Sequence, residues 1–180
     1  KTVKLNFLVM SGTLKLRNST YIDKGRFSHL CFHYDASLSG KKSHIYSGSN
    51  VLSTSDRMTF DSVDTAGASF IIGSGSGIGS FVPTTTFSGS INNFRVFHDS
   101  RSTEEIQRFT KRSLFSDQNP KLNFRFNEAT GSYTNSDVVL DHSGQSLHAR
   151  IKNYDNTVRA EVPYTSLCEF ESNIFHPTLF

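Results

Sequence analysis

The stretch spanning residues 86–109, TFSGSINNFRVFHDSRSTEEIQRF, constrains this chain more than any other. From Phe87 onward, Ile91, Phe94 and Val96 interrupt polar residues at near period two, the spacing of a half-buried strand whose alternate side chains face a core. Asn92 and Asn93 break that phase and mark a bulge or shift. Ser102 then stands three residues ahead of Glu105, so its hydroxyl can take an orphan amide of a first helical turn while the carboxylate reaches back. Ile106 and Phe109 share one face at i, i+3 spacing, enough to fasten about two turns of helix to a sheet edge.

Further alternating segments predict strands over residues 3–9, 12–16, 27–34, 44–46, 69–72, 88–97, 122–126, 138–140 and 147–151. Ser, Thr, Asn and Gly fill the gaps between them, which is recurring turn chemistry. With 180 residues, 16 Phe and no Trp, the chain is long enough for a real core built on aromatic β packing. The expected fold is therefore all-β, an antiparallel β-sandwich with one short capped helix near residues 102–112.

Four segments in order resemble the laminin-G-like, concanavalin A-like jelly-roll family. Residues 87–106 resemble its closing Phe-x-Gly-x-Ile-Asp strand and Ser-x-Glu-Glu-Ile helix, with Asn92 where Asp is usual. Residues 25–35 resemble its aromatic-x-His strand ending in Tyr-Asp, with Phe27 where Trp is usual. Residues 43–52 resemble its Tyr-x-Asp-Gly-x-x-Val hairpin, and residues 70–73 its hydrophobic-Ile-Gly strand.

Residues 120–131 and 138–151, with Phe126-Asn-Glu and Asp141-His-Ser-Gly, resemble the opening of the same family, so family order reads last part first. Two arrangements are open. Residues 1–114 can be the C-terminal part of one module, 115–120 a linker and 121–180 the start of a second module in a tandem array; or the later strands are permuted and complete the first sandwich. The tandem window is the more economical, and residues 171–180 faintly resemble inter-module segments of large phage virion proteins.

Net charge is +3, and the 19 cationic residues are dispersed, with Lys41-Lys42 and Lys111-Arg112 the adjacent pairs. A nucleic-acid surface needs a clustered stripe that releases several counterions together, so no nucleic-acid partner is expected. No run approaches the ~20 apolar residues that cross a bilayer, so no membrane insertion is expected. Cys31 lies mid-strand and reads as a small buried thiol; pairing with Cys168 would require the tail to return to that strand.

His29, Cys31 and His33 alternate along one predicted strand, on the face opposite Leu30, Phe32 and Tyr34. Two imidazoles and a thiol could begin a zinc site but need a further ligand; lining a partly solvated groove is the simpler role, and the resemblance makes His29 and His33 ligand contacts there. For a glycan, an exposed aromatic that stacks on a sugar face is expected, and Tyr21, Tyr46, Phe81 and Tyr133 lie in or beside loops. Asp141 and Ser143 are the candidate metal ligands: a carboxylate on a tight Ser-Gly turn suits Ca²⁺, and the resemblance implies a structural calcium near it, although a plain turn explains the same residues.

Catalysis has little support. Glycoside hydrolysis needs two carboxylates about 5 to 9.5 Å apart, and the Glu-x-Asp-x-x-Glu pattern of the fold's glucanases is missing. Residues 73–77 mimic a nucleophile elbow, yet Gly75 occupies the nucleophile's position. The glycines of residues 73–80 match no phosphate-binding fingerprint and read as a loop. Asn18-Ser19-Thr20 is a glycosylation sequon. Together these features predict a non-catalytic binding or display module, extracellular or on a virion surface, whose partner is a glycan, a protein surface or copies of itself. A purely structural spacer is the rival, and a glycoside hydrolase of the same fold a weaker one.

Overall fold

A computed structural model describes residues 1–11, 14–40, 42–48, 50–55, 72, 89–110, 114, 119–128 and 134–155. These residues form antiparallel strands and one short helix, the all-β class that the alternating segments predict. They fall into two compact units, one drawn from Lys1–Gly89 and Ser100–Ile106, the other from Ser90–Asp99 and Gln107–Phe180. The strand expected over residues 69–72 lies, apart from Ile72, outside the described residues, as do residues 73–80, Phe81, Tyr133 and Cys168.

In the first unit, β1 (Thr2–Ser11) and β2 (Leu14–Asp23) form a hairpin whose register runs from Ser11 opposite Leu14 to Thr2 opposite Asp23. The second strand was expected over residues 12–16 and extends to Asp23 instead. Its inward positions beyond Leu16 carry Asn18 and Thr20, both buried, so the apolar alternation stops while the ladder continues. Backbone pairing along the whole of β1 outweighs the loss of hydrophobic pattern.

A three-stranded sheet follows, ordered β3 (Cys31–Tyr34), β4 (Ser43–Ser47) and β5 (Asn50–Ser55). The expected strand over residues 27–34 shortens to its last four. Cys31 pairs with Tyr46, and one residue beyond Ser47 the chain turns at Gly48, whose φ is +59°, so β4 offers residues 27–29 no partner. The β2 strand packs on β4 and β5, and Phe7 stacks on Phe32. Between these layers Ile45 is 2 % exposed and Ser43 fully buried. Asn18 Nδ2 donates to Ser43 Oγ at 2.9 Å, and Ser53 Oγ donates to Asn18 Oδ1 at 2.7 Å. The sequon asparagine is therefore a core strut.

The expected capping box is present. Glu105 N donates to Ser102 Oγ at 3.2 Å, and Ser102 N donates to Glu105 Oε2 at 2.9 Å. The helix α1 (Thr103–Arg108) is shorter than the expected 102–112, and Thr110 turns its amide and hydroxyl back to the Gln107 carbonyl to end it.

In the second unit, β6 (Phe94–Val96) pairs with β7 (Leu122–Phe124), and β8 (Val138–Val139) pairs with β9 (Ala149–Arg150). The anticipated phase shift falls at Asn93, whose φ of +53° starts β6 six residues later than the expected 88. Phe126, at φ +57°, likewise lies beyond the end of β7. Leu122, Phe124 and Val139 are buried together, with Phe94, Val96, Phe126, Ala149 and Ile151 packed around them. An isolated bridge from Phe124 to Asp141 ties the two strand pairs into one core.

Candidate functional site

The first unit carries a cavity of about 160 Å³ at the open end of the β1–β2 hairpin. Its apolar lining is Tyr21, Ile22, Leu30 and Leu52, and its polar lining includes Asp23, Arg26, Ser28 and Ser47. Tyr21 projects from β2 on the side away from Asn18 and Thr20, and the residue is 65 % exposed. Lys4, its direct partner across the hairpin, holds its Nζ 5.9 Å from the ring centroid. Gly25, at φ +83°, makes the turn after β2 that lets Arg26 fold back on the Asp23 carboxylate. The site combines an exposed aromatic face with a donor fork and an acceptor side by side, the chemistry that reads hydroxyl-rich or peptide-like ligands.

Tyr46 and His33 form a different cluster. Register places Cys31 opposite Tyr46 and His33 opposite His44, so these four side chains share one face of the sheet. The His33 ring centroid lies 6.1 Å from His44 and 6.2 Å from Tyr46, and His44 stacks on Tyr46 at 5.8 Å. His33 Nε2 hydrogen-bonds Ser100 Oγ at 2.7 Å, and the Tyr46 hydroxyl bonds Thr103. Burial is the chief cause that lowers the His33 pKa; the Asp35 charge opposes it and His44 adds to it. Burial also raises the Tyr46 hydroxyl and pushes the Cys31 thiol up to about 11.

This face is half-buried, with Cys31, His33, His44 and Tyr46 each partly exposed. His29, expected beside Cys31 and His33, precedes β3 in irregular backbone and does not join them. His44 and Ser100 escaped sequence reasoning, although the alternation of His44 with Tyr46 mirrors that of Cys31 with His33 and could have suggested the pairing. Among the described residues no group of three or more His, Cys, Asp or Glu side chains is placed to hold a metal. The Ser100–His33 contact does not extend to a triad, because among the described residues His33 Nδ1 is buried without a hydrogen-bond partner to orient the ring.

Asp141 and Ser143 do come together, in the second unit. Asp141 Oδ1 accepts from Asn123 N at 2.9 Å and Ser143 N at 3.0 Å; Oδ2 accepts from Ser143 Oγ at 2.6 Å and Leu147 N at 3.0 Å. Burial alone would raise this carboxyl's pKa, but the donors of Ser143, Asn123 and Leu147 outweigh it and hold the pKa below the usual value. Glu128 accepts from Leu140 N at 2.7 Å. Calcium requires oxygens with lone pairs to spare, about six to eight of them, and this donor set does not fit it.

A laminin-G-type family model, described as the concanavalin A-like lectin/glucanases superfamily, matches residues 2–107. No curated protein and no solved structure matches the chain at significance.

Proposed function

Because the chain belongs to the concanavalin A-like lectin/glucanase superfamily, we propose that it is a non-catalytic binding module whose ligand, a glycan or a protein surface, docks at the Tyr21 cavity. The observation that carries this reading is the exposed Tyr21 ring beside the paired Asp23 and Arg26 in one concave site. Aromatic burial against a ligand supplies affinity, while the carboxylate and guanidinium supply orientation. Asp23 is the single acid lining that cavity among the described residues. Hydrolysis of a glycosidic bond calls for a facing pair, which favours binding over catalysis. Tyr46 and His33 do not line this cavity; they lie together on a half-buried face of the three-stranded sheet.

Residues 119–155 are part of the same proposal. Pairing of β6, inside the matched region, with β7, beyond it, supports the arrangement in which the later strands complete the module begun upstream. The setting proposed for such a module is extracellular or on a virion surface, as one part of a larger protein.

A glycan array followed by titration calorimetry tests the binding site. Tyr21→Ala is expected to weaken any hit by at least about tenfold, which is 1.4 kcal/mol. A robust hit unaffected by Tyr21→Ala and Arg26→Ala would sink the assignment. The structural reading draws on β5, an edge strand of its sheet among the described residues, with Val51 51 % exposed and Leu52 42 % exposed, a surface suited to self-association. A blank array together with a stable oligomer in sedimentation, dispersed by Val51→Lys, would decide for that rival.

A further inference from the structure

We propose that Asp141 closes its turn without a metal ion, and that the unit built on Leu122, Phe124 and Val139 keeps its fold in the absence of calcium. Two carboxylate oxygens offer about four lone-pair directions, and four donors meet them: the amides of Asn123, Ser143 and Leu147 and the Ser143 hydroxyl. These donors come from β7, from the turn itself and from the approach to β9, so one side chain joins three segments around the core.

The backbone around Asp141 is also committed. Its own amide donates to His148 Nδ1 at 3.0 Å, and the His142 amide donates to the Asn123 carbonyl at 2.8 Å. A cation at this carboxylate would have to displace N–H groups that point at the same oxygens, and those dipoles present their positive ends to it. The buried oxygen to spare nearby is Asn123 Oδ1, which has no hydrogen-bond partner among the described residues. Asn123 stands directly opposite Arg95 across the β6–β7 ladder, on the same face. A single neutral oxygen does not replace the six or so that calcium needs.

Thermal melting of the whole chain in EDTA and in millimolar calcium provides the test, with calorimetric titration of calcium as a direct readout. Equal melting temperatures are expected in both buffers, and Asp141→Ala is expected to lower both by roughly 10 °C through the stranded donors. A calcium-dependent rise in the wild type that vanishes in Asp141→Ala overturns the proposal; a rise that persists in the variant puts the ion elsewhere and sustains it. If Asp141→Ala does not fold, Ser143→Ala, which keeps the carboxylate and removes one donor, replaces it. A wild-type calcium response altered by Ser143→Ala then overturns the proposal, and one left unaltered, or no response at all, sustains it.

Discussion

Asn18 and Ser43, 25 positions apart in sequence, meet by a 2.9 Å hydrogen bond with Asn18 3 % exposed and Ser43 fully buried. The bond crosses from the hairpin to the three-stranded sheet, and Ser53 adds a second from β5 to the same side chain. The interior between these two layers is thus fastened by a polar strut among apolar contacts.

Removing that strut should be costly. Asn18→Ala is expected to destabilise the fold by about 2 to 3 kcal/mol, because the hydroxyls of Ser43 and Ser53 lose a buried partner. Urea denaturation of the two proteins measures it, and a difference under about 0.5 kcal/mol would contradict the arrangement. The same burial makes the Asn18-Ser19-Thr20 sequon inaccessible in the folded protein, so a glycan at Asn18 would be incompatible with this packing.

Stability should fall in mildly acidic buffer through His33. Its folded pKa lies below the ordinary imidazole value of 6.5 because burial disfavours the charged ring. Above that value the ring is neutral in both states and its contribution is complete. As pH drops through it, the unfolded chain takes up a proton that the folded chain refuses, and the deficit grows until pH passes the folded value. Between about pH 7.5 and pH 5 the wild type should therefore lose more melting temperature than His33→Gln, which keeps a polar partner for Ser100. Parallel curves for the two proteins would show that His33 carries no such linkage.

The Cys31 thiol should be unreactive. With its pKa pushed from 9.0 to about 11 by burial, thiolate near neutral pH is about 100-fold scarcer than in an unfolded chain, and alkylation should slow by about that factor. A Cys168→Ser background leaves Cys31 as the one remaining cysteine of the two. Iodoacetamide labelling followed by mass spectrometry reads the rate, and native labelling within tenfold of the urea-unfolded rate would refute the buried setting.

Local signals were legible without coordinates. Ser102 and Glu105 close their capping box across three residues, Asn93 turns left-handed where the apolar phase slips, and the alternation around Phe32, Ile45 and Phe124 marks strands. Each of these depends on the chain's immediate neighbours, so spacing alone exposes it. Tyr21 was likewise recognisable as a surface aromatic, though not as the wall of a cavity completed by Leu30, Ser47 and Leu52.

What tertiary structure decided is every assignment that needs a distant partner. The length of β2 follows from pairing with β1, although Asn18 and Thr20 interrupt its hydrophobic pattern. His44 joins His33 because the β3–β4 register sets them opposite each other, and the same register leaves His29 outside the ladder. Asp141 looks like a cation ligand by its residue type and its turn; amides from Asn123 in β7 and from Leu147 on the approach to β9 fill its oxygens. Alternation says which side chains share a face, but only the fold determines which groups that face meets, and hydrogen-bond saturation, burial and pKa depend on those encounters.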